Sequence, residues 1–294
     1  MQTKIRLTIA LLFTAILSVQ AQNTLWINNP QYTWYWQQGV ITEATLTVRP
    51  AGLYLQYGLY LTYSASQTNF NAEDKLEVVQ DFDLPAGAIV LDSWLWVGDD
   101  IVQGRLIDRW SASDIYEGIV NRRQDPSVLY KNGASHYQLR VYPITKNETR
   151  KVKITYLVPV TPLQGRVEAG LPSWLLMASN PDPGLHLFVW EDNGFANPTL
   201  HSVSETLSPG YDEEFGAFLR AYLPASDVVK HPTIQMDLPA SNGVFLSLFD
   251  GPDAGYYQLS LNPGDFINLP TGQKLLVILD YLPGNTATDK EVLA

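Results

Sequence analysis

In His136–Ile144, and again in Arg150–Val158, apolar side chains fall on every second residue. This period of two limits the chain more than any other feature. Successive side chains of an extended strand point to opposite faces, so such a segment buries one face and wets the other, as antiparallel sheets with one solvated side do. In the first segment Tyr137, Leu139 and Val141 form one face, and His136, Gln138, Arg140 and Tyr142 the other. In the second, Val152, Ile154, Tyr156 and Val158 oppose Lys151, Lys153 and Thr155. Ile41–Arg49 follows the same rule, with Ala44, Leu46 and Val48 opposed to Thr45, Thr47 and Arg49. Leu53–Tyr63 places Leu53, Leu55, Tyr57, Leu59 and Leu61 together, and Gly58 on the other face marks a bulge or a close approach. Further strands are expected at Leu76–Leu84, Ile89–Val97, Ile101–Ile107 and Val128–Tyr130, separated by turns at Pro85-Ala86-Gly87, Gly98-Asp99-Asp100, Asn132-Gly133 and Lys146-Asn147.

One segment breaks the period. Ala112, Ile115, Tyr116, Ile119 and Val120 recur at helical spacing, and Ser111 and Asp114 stand where a capping box would close the first turn. Asp125-Pro126 ends this helix, because a residue before proline is pushed out of the helical region. The expected fold is therefore mainly β, an antiparallel β-sandwich with one short α-helix and a single core.

These segments resemble, in their order, a known family. "FDLPAGAIVLDSWLWVGDDIVQGRL", "SASDIYEGIVNRRQDPSVLY" and "YQLRVYPITKNETRKVKITYLVPV" are similar to a VIT domain, the vault and inter-alpha-trypsin module that heads inter-alpha-trypsin inhibitor heavy chains. The landmarks that carry the resemblance are Pro85, Ala112, Tyr116, Asp125, Pro126, Pro143 and Tyr156, spread over some 70 positions. The resemblance implies a β-sandwich interaction module with a protein partner, and it implies no catalysis and no cofactor.

The chain begins with Lys4 and Arg6 ahead of the apolar Leu7–Val19 and the small-residue site Val19-Gln20-Ala21, the pattern of a secretory signal over 1–21. The apolar run is shorter than the roughly 20 residues a membrane-spanning helix needs, so no span is expected after cleavage. The whole chain carries a net charge of −11, and removing the two basic residues of the signal leaves about −13. That balance argues against a nucleic-acid partner. There is no cysteine, so a secreted or cell-envelope protein of this sequence relies on its core rather than on disulfides, and bacterial export is the expectation.

Residues 22–40 form an aromatic lead-in containing Trp26, Tyr32, Trp34, Tyr35 and Trp36. Two readings stand. The segment is a strap packed on the sandwich, or Trp26, Trp34 and Trp36 are a stacking platform for a glycan. The sandwich is placed at 41–165. Residues 166–272 read as a second β layer or an extension of the first, with short apolar runs at Trp174–Met177 and Leu185–Trp190 and a possible helical period only in Glu213–Tyr222.

In 273–294, Lys274–Asp280 is a continuous apolar run ending in an acid, similar to the first strand of a von Willebrand factor A domain. In that family the strand leads into Asp-x-Ser-x-Ser, a set of cation ligands. Asp280 matches the first position, but Leu282 and Gly284 stand at the serine positions and offer no side-chain oxygen to a hard cation, so no metal is expected. The segment reads as the truncated start of an incomplete α/β domain, and the chain as a fragment of a longer protein. The sequence contains no His-Glu-x-x-His, phosphate-binding glycine loop, Gly-x-Ser-x-Gly or dinucleotide fingerprint. Its four histidines, His136, His186, His201 and His231, lack ligand spacing. Of the acidic pairs Asp99-Asp100 and Glu213-Glu214, the first falls in a turn, where short polar residues serve turn geometry alone, and neither is read as glycosidase carboxylates or a calcium loop. A non-enzymatic interaction module is the main reading, and a glycan-binding module the alternative.

Overall fold

The alternating segments become strands at nearly the residues where the period begins and ends. The structure, a computed structural model, describes residues 23–32, 34–98, 100–104, 127–163, 165–240, 244–249 and 255–261. Its described residues divide into two units, one ending at Pro239 and one beginning at Ala240.

The first unit is built on an eight-stranded sheet with the spatial order β15-β16-β13-β3-β4-β10-β6-β7. These strands are β3 (Val40–Ala51), β4 (Tyr54–Ser64), β6 (Ile89–Val97), β7 (Asp100–Gln103), β10 (Thr149–Pro159), β13 (Leu185–Val189), β15 (Ser208–Asp212) and β16 (Gly216–Leu223). A five-stranded sheet has the order β2-β1-β5-β9-β8, from β1 (Thr24–Asn28), β2 (Trp36–Gln38), β5 (Leu76–Asp83), β8 (Ser127–Lys131) and β9 (His136–Ile144). A four-stranded sheet, β11 (Thr161–Leu163), β12 (Arg166–Gly170), β17 (Thr233–Asp237) and β14 (Ala196–His201), adjoins them in that order. Among the described strands every pairing is antiparallel except β13 with β3, where Leu187 lies beside Leu46 and Val189 beside Val48.

The core follows from the pleat. Leu55, Tyr57, Leu59, Leu61 and Tyr63 of β4 are all buried, as are Val152, Ile154, Tyr156 and Val158 of β10. On the five-stranded sheet, Leu25, Ile27, Val78, Phe82, Tyr137, Leu139 and Val141 form the corresponding buried face. Two residues expected on polar faces, Thr155 and Tyr142, are buried as well. Gly58 is a close approach and not a bulge. Its pairings with Thr47 and Thr155 run without interruption, and a Cβ there would meet Thr47 Oγ1 at 2.4 Å.

Two local expectations fail. Glu213–Tyr222 is not helical: Gly216, at a φ of +74°, opens β16, which pairs with β13 on one side and β15 on the other. Backbone pairing on both edges outweighs a weak helical period over ten residues. Trp174–Met177, read as an apolar run in a β-rich region, overlaps a one-turn helix, Ser173–Leu176, that buries Leu175 and Leu176. Pro172 precedes it, and the turn is tied into the core because Gln80 Nε2 donates to the Leu175 carbonyl at 3.1 Å. A second one-turn helix spans Ala225–Val228. The helix expected around Ala112 and Tyr116, and its stop at Asp125-Pro126, lie outside the described residues, as does the Lys274–Gly284 segment with Asp280 and Leu282.

The second unit contains one described hairpin, β18 (Val244–Phe249) with β19 (Tyr256–Leu261), paired in register from Val244 opposite Leu261 to Phe249 opposite Tyr256.

Candidate functional site

The lead-in is anchored in the core by Leu25 and Ile27, with Asn28 and Asn29 also buried, and exposes several of its aromatic rings. β1 pairs with β5, and its Leu25 and Ile27 are buried in the core. Alternation then sends Trp26 to the opposite face. The cross-strand pairs Trp26 with Gln38 and Asn28 with Trp36 put Trp26 and Trp36 on one face of the β1–β2 pair as diagonal neighbours. Trp34 is 80% exposed, Tyr32 56%, Trp36 42% and Trp26 38%. The rings do not form one plane: Trp34 lies 6.0 Å from Tyr35 at 54°, and Tyr35 meets Phe70 edge-on at 5.3 Å. The segment is thus both a strap by its anchors and a display of aromatic rings by its other face.

The landmarks within the described residues are held by the core. Tyr156 is buried in β10, edge-on to Tyr57 at 5.5 Å. The Tyr57 hydroxyl donates to the Gly170 carbonyl at 3.1 Å. Pro85 follows β5 and opens the turn closed by Ala88 N–H to the Pro85 carbonyl at 2.9 Å. Pro143 lies in β9 after a cis peptide bond from Tyr142. Pro85, Tyr57 and Tyr156 line one cavity of about 420 Å³ together with Leu171 and Trp174. Burial raises the phenols of Tyr57, Tyr63 and Tyr156 above their ordinary range, so all three stay neutral and protonated at physiological pH.

The polar face of the five-stranded sheet is occupied by ion pairs. Arg140 donates through Nε and Nη2 to the two oxygens of buried Glu77 at 3.0 and 2.9 Å. His136 sits between Asp83 and Asp81, at 3.2 and 3.5 Å. The other histidines do not join it. His186 lies against Tyr222, and His231 stacks on Trp174 at 3.9 Å. Among the described residues no three metal-ligating side chains converge. Glu213 and Glu214 are exposed in a turn whose amides are held by Asp212 Oδ1.

Sequence reasoning missed a second aromatic group. On the outer face of the eight-stranded sheet, Tyr60 of β4 lies opposite Lys153 of β10, which lies opposite Trp94 of β6. Trp94 and Trp96 stack at 6.5 Å and 27°. The only sequence signal is the i, i+2 spacing of the two tryptophans, because the three strands that meet here are far apart along the chain.

Among solved structures the chain is similar to a candidate nutrient-binding protein of Legionella pneumophila, at 13% identity and a TM-score of 0.41, covering 68% of this chain and 67% of that one. It is also similar to the M1 zinc metallopeptidase of Deinococcus radiodurans, at 11% identity and a TM-score of 0.35, covering 81% of this chain and half of that one. A third is the Legionella pneumophila aminopeptidase A, at 11% identity and a TM-score of 0.39, covering 76% of this chain and 23% of that one. Likenesses this distant carry no argument about chemistry. No curated protein matches the sequence. Residues 56–156, from within β4 to within β10, match the model of the vault protein inter-alpha-trypsin domain, and the chain therefore carries a VIT domain.

Proposed function

We propose that this chain is a secreted or cell-envelope, non-enzymatic module whose VIT sandwich docks a protein partner, either a separate protein or an A-type domain following it in a longer polypeptide. The observation that carries the reading is the aromatic display of the lead-in. Trp34 is 80% exposed, and Trp26 and Trp36 keep about two fifths of their surface in solvent, while Leu25 and Ile27 pin the same segment to the core. Large exposed rings on an anchored segment are the residue types that dominate protein interfaces, and aromatic patches mark such surfaces. Trp34 stands at 54° to its neighbour Tyr35, so these two rings do not extend a flat stacking platform, which favours a protein surface over a glycan contact at Trp26, Trp34 and Trp36.

A photo-crosslinking amino acid at position 34 of the full-length protein, in its native host, tests this. The expected result is a crosslinked polypeptide, identified by mass spectrometry and missing when the probe is moved to Thr161. Crosslinking no stronger at 34 than at 161 rules the strap out as a docking surface.

A further inference from the structure

The cavity lined by Tyr57, Tyr156 and Trp174 is a second site, independent of protein docking on the lead-in. Its volume of about 420 Å³ falls in the range of small-molecule sites, roughly 300–1,000 Å³. Contacts between distant parts of the chain hold its walls in place. Tyr57 of β4 stands edge-on to Tyr156 of β10 at 5.5 Å and 72°. The Tyr57 hydroxyl donates to the Gly170 carbonyl at 3.1 Å, which ties β4 to the end of β12. Trp174 stacks on His231 at 3.9 Å and 25°, yet remains 58% exposed. An indole held in this way offers apolar surface to a ligand with little further ordering cost.

The floor of the cavity carries an unused polar group. Tyr156 is 1% exposed, and its hydroxyl makes no hydrogen bond to any described residue. Unlike Thr155 Oγ1 beside it, that hydroxyl is not sealed from solvent, so it is reached through the cavity that Tyr156 lines. Tyr57 has committed its proton to Gly170, whereas Tyr156 is free to donate and to accept. Buried polar groups are nearly always paired, so a phenol left unpaired at the foot of an open cavity marks the place of a ligand's polar group.

The charge around the cavity has one sign. Among the described residues that line it, Asp83 alone is charged. Its side chain is 36% exposed, and Oδ1 meets His136 Nδ1 at 3.2 Å. The whole chain carries −11, so the field at the mouth favours a cation and opposes an anion.

We propose that this cavity binds a small aromatic amine in its ammonium form, with a polar substituent on the ring. The ring would lie against Trp174 and Leu171, and its substituent would pair with the Tyr156 hydroxyl on the floor. The ammonium group would stay at the rim near Asp83, where it keeps part of its hydration.

Calorimetry on the full chain tests this with four probes of similar size. Tyramine has both the ammonium and the ring hydroxyl, phenethylamine lacks the hydroxyl, tyrosol replaces the ammonium by a neutral alcohol, and 4-hydroxyphenylacetate replaces it by an anion. Tyramine is expected to bind at least about tenfold tighter than 4-hydroxyphenylacetate, with tyrosol between them and the spread shrinking as salt rises. Asp83→Asn should remove the advantage of tyramine over tyrosol. Tyr156→Phe should weaken tyramine several-fold and bring it to the affinity of phenethylamine. Trp174→Ala should weaken every probe, while Trp34→Ala should change none. Melting temperatures of the variants separate lost binding from lost fold. The proposal is overturned if no probe binds, if the anion binds as tightly as tyramine, or if folded Tyr156→Phe and Trp174→Ala proteins bind tyramine as the parent does.

Discussion

The Tyr63 hydroxyl, deep in β4, donates to Oε1 of Gln80 in β5, and this hydrogen bond links the eight-stranded sheet to the five-stranded one through the core. Both residues are fully buried. Gln80 continues the chain by donating to the Leu175 carbonyl, so the one-turn helix is fixed to the same polar thread. Tyr63→Phe removes the donor and leaves a buried amide oxygen unpaired, at a cost of about 1–3 kcal/mol. Urea unfolding of the variant should give a lower midpoint with an unchanged slope. An unchanged midpoint would mean that the thread contributes nothing to stability.

Alkaline pH should act on the same core. The phenols of Tyr57, Tyr63 and Tyr156 have folded values raised above the ordinary 10.0, chiefly by burial. Above about pH 10 the unfolded chain releases protons that the folded chain keeps, so stability is fully present below that pH and falls as pH rises through it. Melting temperatures measured from pH 8 to 11.5 should drop steeply beyond pH 10. Tyr156→Phe should flatten the drop, and a profile identical to the parent protein's would refute the assignment to these tyrosines.

Gly58 tests how closely β3 and β4 approach. A methyl group there would meet Thr47 Oγ1 at 2.4 Å, and that hydroxyl already donates to the Gly58 carbonyl at 3.2 Å. Gly58→Ala is expected to cost about 1–3 kcal/mol through overpacking. Adding Thr47→Ala should recover part of the loss, read by thermal unfolding of the single and double variants. Strictly additive losses would show that the two side chains do not collide.

The lead-in should separate anchor from display. Leu25→Ala empties a core site and should cost about 2–5 kcal/mol. Trp34→Ala alters a ring that is 80% exposed and should leave the melting temperature within a degree or two. A large loss from Trp34→Ala would make the ring a structural element and remove the support for docking.

Export predicts a defined new terminus. In a Gram-negative host expressing the whole chain, intact-mass measurement of the envelope fraction should find Gln22 first, after loss of residues 1–21. A protein that keeps Met1 in the cytoplasm would end the secretory reading.

The strands were legible in the sequence because alternation is a local property: a residue and its neighbour two positions on report the same face whatever they later pack against. That is why Ile89–Val97 and His136–Ile144 are strands over those same residues, and why the buried faces of β4 and β10 match the apolar positions. The choice of partner strand is not local. Nothing in Leu185–Val189 announces that it will lie parallel to β3, and within Glu213–Tyr222 the residues from Gly216 on form a strand because β13 and β15 flank them. The Tyr60–Lys153–Trp94 row was hidden for the same reason, since its three members come from strands brought together only by the sheet. The sequence alone determined most of the strands of the alternating segments and the apolar side of each, while the burial of Thr155 and Tyr142 came from what packs over them. Tertiary structure decided which wet sides share a face, because hydrogen-bonded register between distant segments, not periodicity within them, places those side chains side by side.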